Sequence, residues 1–591
     1  MLSFLVKGSR AARICRRSHS RHTQLYRVTQ THYGHIIDQG FASTRPLRYS
    51  TANKANSGRV AGQILFGAAA LLLVLAYNAG YTVTKESSTW DTSRPKYATE
   101  HDMRQALREL EIELVESGMT PEDVRGMLSR DADELYNHSY SEWSTSNSNV
   151  QPFAIIYPEC TEHVSLIAKL CSRYRIPMVP YGAGSSVEGS FSSPYGGFCV
   201  DFSRMDKVVA LHPDDMDVVV QAGVNVANLN KQLESSGLFL PLDPSPTALI
   251  GGMIATNCSG TNAMRYGTMK DYVLNLTLVL ADGSVIRTRG RGRPRKSSAG
   301  YDLTRLLVGS EGTLGMVTEA TLKLAVIPKE TAVATVSFPG GVEAAAEASV
   351  KMMRAGIGCL AALEIMDEVQ MKVINRNGGT LRADGVSKRL WPEHTTLFLK
   401  FSGGSQKGIF EDAKKVEEIV DRLGGQRLEI ATNPKEKDAI WAARKEALWA
   451  MLAQREPGTE IWSTDVAVPL SRLAEIINIS KRESSELGLF NSVLGHVGDG
   501  NFHQSVMYHP DNPDEKAKVA RCVKNMMTRA LEMDGTVSGE HAIGIGKKAS
   551  LEEEVGLDTI DVMRRLKYAL DPHWLMNPGK VFDHRKVAIV G

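Results

Sequence analysis

The residues best equipped for chemistry lie in the stretch Val493-Leu494-Gly495-His496-Val497-Gly498-Asp499-Gly500-Asn501-Phe502-His503 and, about forty residues on, in Ser538-Gly539-Glu540-His541. An Asp-Gly pair between apolar residues is a strong signal for a two-residue hairpin turn, because both central positions of that turn need positive φ. With Asp499 and Gly500 as the turn, Val497 faces Phe502, and His496 faces His503 on the same side of the ribbon with Cβ atoms about 5 Å apart. Two imidazoles then converge on one point. A carboxylate from Glu540 would complete a nitrogen-nitrogen-oxygen set suited to a divalent transition metal, zinc or manganese, with open positions for a substrate. His541 stays free for proton transfer. Paired histidines can also simply hydrogen-bond, and it is the neighbouring Glu-His pair that favours a metal. Adjacent residues of an extended segment point to opposite sides, so Glu540 and His541 can share one pocket only if residues 538–544 turn, for which Gly539 and Gly544 provide.

The body that positions these groups is large. A chain of 591 residues exceeds one hydrophobic core, and 42% hydrophobic with 23% charged residues is a globular composition. The net charge of +2 hides an asymmetry: the first 59 residues hold eleven Lys or Arg against one acid, Asp38, and the remainder carries 58 basic and 66 acidic residues. No basic face for nucleic acid follows. Seven scattered cysteines form no CxxC pair, which excludes a disulfide scaffold and a thiolate metal site and leaves them as small buried apolar residues.

Residues 1–57 are rich in Arg, Ser, Thr and His, the composition of a mitochondrial transit peptide. From Val60 to Thr84 no residue is charged, and such a run spans about 37 Å as a helix, enough for one inner-membrane crossing. Positive charge lies on its N-terminal side, so the positive-inside bias places everything after Lys85 in the intermembrane space. Residues 85–149 read as a linker with a helical segment, its apolar stripe being Met103, Ala106, Leu107, Leu110, Leu114 and Val115. A domain boundary near 150 follows.

From 150 to 327 short apolar strands alternate with Gly-rich turns and helices: a strand at 153–158, a helix from Thr161 to Tyr174, then IPMVPYGAGSSVEGS. A strand that ends in Pro180-Tyr181-Gly182-Ala183-Gly184-Ser185-Ser186 presents bare amides and hydroxyls, the equipment for a pyrophosphate. It is not the GxGxxG of a dinucleotide fold. Two further small-residue stretches follow, 249–260 and Gly309-Ser310-Glu311-Gly312-Thr313-Leu314-Gly315. Beyond 328 the strand candidates TAVATVSF and TTLFLKF are each followed by a helix, the second stopped by Gly424-Gly425. Trp441 to Leu452 is an expected helix and Ile461 to Val468 an expected strand.

PYGAGSS, IGGMIATNCSGTNAMRYGTMKD and GSEGTLGMVTEATLKL resemble the FAD-binding domain of the vanillyl-alcohol oxidase and p-cresol methylhydroxylase superfamily. GHVGDGNFH, SGEHAIG and NPGK are similar to the C-terminal domain of its 2-hydroxy-acid dehydrogenase branch. The resemblance covers about residues 150–585 and implies an α+β chain: a two-part FAD-binding domain at 150–327 and a ferredoxin-like α+β cap at 328–585 that binds substrate and metal. The FAD residues it implies are Pro180, Tyr181, Gly182, Ala183, Gly184, Ser185 and Ser186; Gly251, Gly252, Thr256, Asn257, Gly260, Thr261 and Tyr266; Glu311, Gly312, Gly315 and Val317; and Asn577. No histidine lies in 180–190, where some relatives join flavin covalently, so FAD is expected to be non-covalent.

The resemblance further implies oxidation of D-lactate to pyruvate, with cytochrome c as electron acceptor and D-2-hydroxyglutarate as the alternative substrate. Dicarboxylate-oxidising relatives tend to carry a Lys where this chain has Trp462-Ser463-Thr464, which favours a small monocarboxylate. In that reaction His496, His503 and Glu540 hold the metal, His541 takes the hydroxyl proton and Arg444 clamps the carboxylate. Two other classes compete: a flavin-dependent lyase or synthase, against which the paired histidines argue, and a membrane-tethered metal-binding protein without turnover.

Overall fold

The computed structural model describes residues 95–584, and the expected transit segment (1–57) and membrane span (60–84) lie outside them. No helix among the described residues is long and apolar enough to cross a membrane. The first helix, Glu100–Glu116, starts in a reciprocal cap, with Asp102 donating its N–H to the Thr99 hydroxyl and its carboxylate accepting the Thr99 N–H. Ala106, Leu107, Leu110 and Leu114 are buried along it, but Val115 is 39% exposed, since one residue advances the helix by about 100° away from the stripe. Residues 95–149 pack as part of the following domain. Their first helix shares a core with the helix Thr161–Tyr174, and Leu128–Ser129 pairs with Ile155 and Ile156 as an edge strand.

Two sheets build the first large domain. One runs in the order Leu128–Ser129, Ala154–Ile156, Phe198–Asp201, Met178–Tyr181, with the last three parallel. Parallel pairing needs a crossover, which Thr161–Tyr174 supplies. The other is antiparallel: Val208–His212, Asp217–Gln221, Met316–Lys323, Val273–Val279, Val285–Arg287. Near 327 the chain closes this part of the fold, where Ala325–Val326 pairs with Leu238–Phe239. The far end of the expected cap is different. Met576 bridges to Met178, and Leu575 and Met576 sit in the first sheet's core, so the chain returns to this domain before residue 584.

In the second domain Glu330–Phe338, Leu360–Met366, Thr395–Gly403 and Gln426–Ala431 alternate with the helices Gly341–Arg354 and Gln406–Arg422. They lie antiparallel in the order fourth, first, third, second, which is the ferredoxin-like arrangement expected. Fully buried Phe338, Leu397, Leu399 and Phe401 anchor its core, each contributing about 1.5–3 kcal/mol. Past Leu360–Met366 the sheet continues through Asn491–His496, Asn501–Tyr508 and Glu460–Ser463, so the histidine hairpin is built into the cap sheet. The expected helix 441–452 is two helices, Pro434–Lys445 and Ala447–Leu452, meeting at Glu446; Asn433 caps the first with Pro434 at its first position, a start signal upstream of the apolar run. Of the cysteines, Cys258 and Cys359 are only half-buried, while Cys160, Cys171, Cys199 and Cys522 are buried as expected.

Candidate active site

The hairpin register differs from the expected one by two residues. His496 pairs with Asn501 and Leu494 with His503, leaving Val497 to Gly500 as a four-residue loop. Gly500 has a φ of 86°, but Asp499 does not reach the positive φ that a two-residue turn demands of it. Tertiary contacts favour the longer loop: Val497 is buried in the cap core, and Met264 of the first domain presses on Gly498, where an added Cβ would come within 2.4 Å of its sulfur. A shift of two keeps every side chain on its face. His496 and His503 therefore still share one, as diagonal neighbours with ring centroids 5.6 Å apart.

Each imidazole is held by its Nδ1. The register that pairs Ile365 with Gly495 puts Glu364 beside His496, and the Glu364 Oε1 to His496 Nδ1 distance is 2.8 Å. His503 Nδ1 is 3.0 Å from the Thr464 carbonyl oxygen. That carbonyl is available because the Thr464 hydroxyl takes the Gln504 N–H at 2.9 Å in its place, which interrupts the expected strand 461–468 into Glu460–Ser463 and Val466–Ala467. With both Nδ1–H groups donating, both Nε2 atoms face Glu540 Oε1, at 3.1 and 3.0 Å. Glu540 Oε2 accepts from Ser259 Oγ at 2.6 Å. One ligand atom from each of His496, His503 and Glu540 lies within 4.8 Å of the others.

This donor set fits a divalent cation. Burial opposes charge on His496, yet Glu364 and Glu540 on either side hold its pKa well above the imidazole range. Burial likewise opposes the Glu540 carboxylate, and His496 and His503 hold it well below the usual range. The pocket demands positive charge between two carboxylates, and a metal ion meets that demand with two fixed imidazole nitrogens and a carboxylate oxygen.

Asp465 solves the problem of bringing Glu540 and His541 into one pocket. Its Oδ2 accepts the N–H of Glu540 at 2.8 Å, that of His541 at 2.9 Å and the Ser538 hydroxyl at 3.1 Å, wrapping the segment round one fully buried oxygen. Positive φ at Ala542 (65°) and Gly544 (50°) completes the turn. Gly539 serves by close approach, since a Cβ there would meet Asp465 Oδ1 at 2.7 Å. His541 then stacks on His503 at 4.7 Å and 10°, with its Nδ1 lacking any protein partner. Burial pushes the His541 pKa down to about 4, so the ring is neutral at physiological pH.

These groups line one end of a cleft of about 980 Å³. The rest of its wall is the small-residue apparatus read from the sequence: Pro180 through Ser186, Gly251, Gly252, Thr256, Gly260, Thr261, Gly312, Gly315, Val317 and Asn577. A Cβ on Gly252 would meet nothing within 4 Å, so bare backbone faces open space there, as an extended FAD requires. The side chains of three expected cofactor residues have protein partners. Asn257 is not in the wall, and its Oδ1 accepts from Thr268 Oγ1 and the Lys270 N–H. Tyr266 is also outside it, edge-on to Phe239 at 5.8 Å. Glu311 is in the wall, but its carboxylate takes the Ile543 and Gly544 N–H groups and the Ser190 hydroxyl, and a free carboxylate would in any case repel a pyrophosphate.

Arg444 reaches the cleft from the last turn of Pro434–Lys445. Two of its nitrogens lie 2.9 Å from Glu364 Oε2. Glu364, Asp465 and Ser259 are absent from the reading of the sequence. Glu364 could have been suspected as the lone acid in LAALEIM, where each neighbour is apolar and buried. Asp465 carried no comparable signal, because its partners are backbone amides of a distant segment.

Residues 152–289 match the family model described as an FAD binding domain, and residues 327–581 match the FAD linked oxidases, C-terminal domain. The chain is 42% identical over 522 residues to the mitochondrial D-lactate dehydrogenase [cytochrome] of Kluyveromyces lactis, covering 86% of this chain and 88% of the relative. It is 44% identical over 454 residues to the protein of that name from Arabidopsis thaliana, covering 77% of each. A crystal structure of p-cresol methylhydroxylase with substrate bound shares the fold at a TM-score of 0.63 and 16% identity, covering 83% of this chain and 98% of that one. With both halves matched in order and relatives above 40% identity along most of its length, the chain belongs to the FAD linked oxidase family.

Proposed function

We propose that the protein is an FAD-dependent D-2-hydroxy-acid dehydrogenase that oxidises D-lactate to pyruvate and passes the electrons to cytochrome c. The observation that carries this reading is one cleft in which a three-ligand cation site, an unpartnered neutral imidazole and a bare-backbone cofactor wall meet. The names of the relatives support the substrate, the acceptor and a mitochondrial location.

His496, His503 and Glu540 would hold the divalent metal, zinc or manganese, which supplies Lewis-acid polarisation of a substrate oxygen. The 180–186, 251–261 and 312–317 backbone would hold FAD, which would supply the acceptor for the electron pair that leaves with the α-hydrogen. The chain's own groups do the rest. Arg444, oriented by Glu364, presents its remaining donors to the carboxylate. Neutral His541, which lines the cleft, takes the hydroxyl proton on its imidazole, a transfer that needs a ring already deprotonated. Ser463 lines the wall where a lysine would favour a second carboxylate.

Anaerobic mixing of the purified protein with D-lactate should bleach the flavin absorbance, and D-2-hydroxyglutarate should do so far more slowly. Bleaching by neither compound, or a colourless protein, would remove the reading. The uncharged run 60–84, preceded by eleven basic residues, supports a tether to the inner membrane with the catalytic body facing the intermembrane space. Protease added to mitochondria with ruptured outer membranes should digest the body, and full protection with the inner membrane intact would reverse that orientation.

A further inference from the structure

We propose that Glu364 is a positioning residue that couples the cation site to the substrate clamp, fixing His496 with one carboxylate oxygen and Arg444 with the other. The inference rests on the function proposed above. Glu364 is 1% exposed and sits on the strand Leu360–Met366, sharing a face with Ala362 and Met366 rather than reaching in from a loop. Its Oε1 accepts from His496 Nδ1 at 2.8 Å, and its Oε2 is 2.9 Å from two nitrogens of Arg444. Among the described residues no other carboxylate hydrogen-bonds to Arg444 or to His496 Nδ1; the other side-chain hydrogen bond of His496 is through Nε2, toward Glu540.

Three consequences follow from that geometry. The Nδ1–H bond selects the tautomer whose Nε2 carries the lone pair a cation needs, and it makes that nitrogen more basic. The Oε2 contact occupies the inner side of the Arg444 guanidinium, so the outer donors face the cleft in one fixed plane. Because the two contacts use opposite oxygens of one rigid group, neither partner can reorient without disturbing the other. A merely space-filling Glu364 would predict none of this, since a buried carboxylate costs free energy unless its partners need it.

The test is Glu364→Gln, which keeps the shape and loses the charge and one acceptor, alongside Glu364→Asp, which keeps the charge but draws the carboxylate back from both partners. In FAD-loaded protein without substrate, the dissociation constant for zinc or manganese should rise about 10–100-fold in each variant. With the metal then saturating, KM for D-lactate should rise about tenfold, with a smaller change in kcat, while flavin content and melting temperature stay close to wild type. If Glu364→Gln does not fold, Glu364→Asp alone decides, because it keeps the buried negative charge while lengthening the contacts to both His496 and Arg444. A folded variant in which either the metal dissociation constant or KM stays within about twofold of wild type overturns the coupling. Wild-type protein that binds no divalent ion and is not bleached by D-lactate would instead overturn the functional reading, and this proposal with it.

Discussion

Glu311→Gln is the perturbation that tests how the catalytic loop is held. Glu311 Oε1 accepts the Ile543 N–H at 2.8 Å; Oε2 accepts the Gly544 N–H at 2.8 Å and the Ser190 hydroxyl at 2.9 Å. Burial pushes the Glu311 pKa upward, but three donors and no acceptor surround the carboxyl, which suits the ionised form. Glutamine offers one oxygen and one NH₂ in the same space. One charge-assisted bond is lost, about 1.5–3 kcal/mol, and a buried N–H is left facing a donor, a further 1–3 kcal/mol or so. The sum, roughly 2.5–6 kcal/mol, is comparable with the free energy that keeps a local segment closed. Residues 542–544 should then open, and His541, still tied to Asp465 through its N–H, should lose the fixed orientation of its ring in the cleft. Anaerobic stopped-flow flavin reduction by D-lactate should slow by about 10² or more, each 1.36 kcal/mol being tenfold. FAD content should be retained, because the cofactor wall does not use this carboxylate. Reduction within about threefold of wild type would show that Glu311 does not hold the loop. Loss of FAD with an intact loop would return the residue to the cofactor site.

Three further outcomes follow. Replacing His496 or His503 with Ala removes one of three protein ligands and should drain metal and activity while FAD stays bound; wild-type metal stoichiometry in both variants would remove the site. His541→Gln should keep metal and FAD yet slow flavin reduction by about 10² to 10⁴, the usual share of a general base, whereas Glu540→Gln should lose metal as well as rate. A His541→Gln enzyme within a few-fold of wild type would assign proton removal elsewhere. Glu188, 4% exposed and 3.4 Å from Lys547, has its pKa raised by burial to about 7. A raised carboxyl pKa means that the native state binds more protons than the unfolded one between about 4.5 and 7, so its contribution is complete below that window and is lost as pH rises through it. Between pH 5 and pH 8 wild type should therefore lose about 2–3 kcal/mol relative to Glu188→Gln, read from thermal unfolding of both; parallel pH profiles would show that Glu188 titrates normally.

Some of this was legible in the sequence because it depends on local physics. Hydrophobic period gave Thr161–Tyr174 and the strands beginning near 331 and 395, and glycine and serine runs marked the cleft wall. The side of the hairpin on which the histidines lie was legible too, since side-chain parity survives a register shift of two. The register itself was not: Asp499-Gly500 has the local signal for a tight turn, and burial of Val497 with the approach of Met264 outweighed it. The break at Thr464 was likewise hidden, for a β-branched residue in an apolar run reads as strand until a histidine 39 positions away claims its carbonyl. The sequence named His496, His503, Glu540 and His541, and the fold brings these four side chains to one end of the cleft. Only the tertiary structure decided what aims them: Glu364 across the sheet, the Thr464 carbonyl, and Asp465 holding two successive amides. The physical reason is that a donor's orientation is set by whichever acceptor folding brings within about 3 Å, and chain order carries no record of that partner.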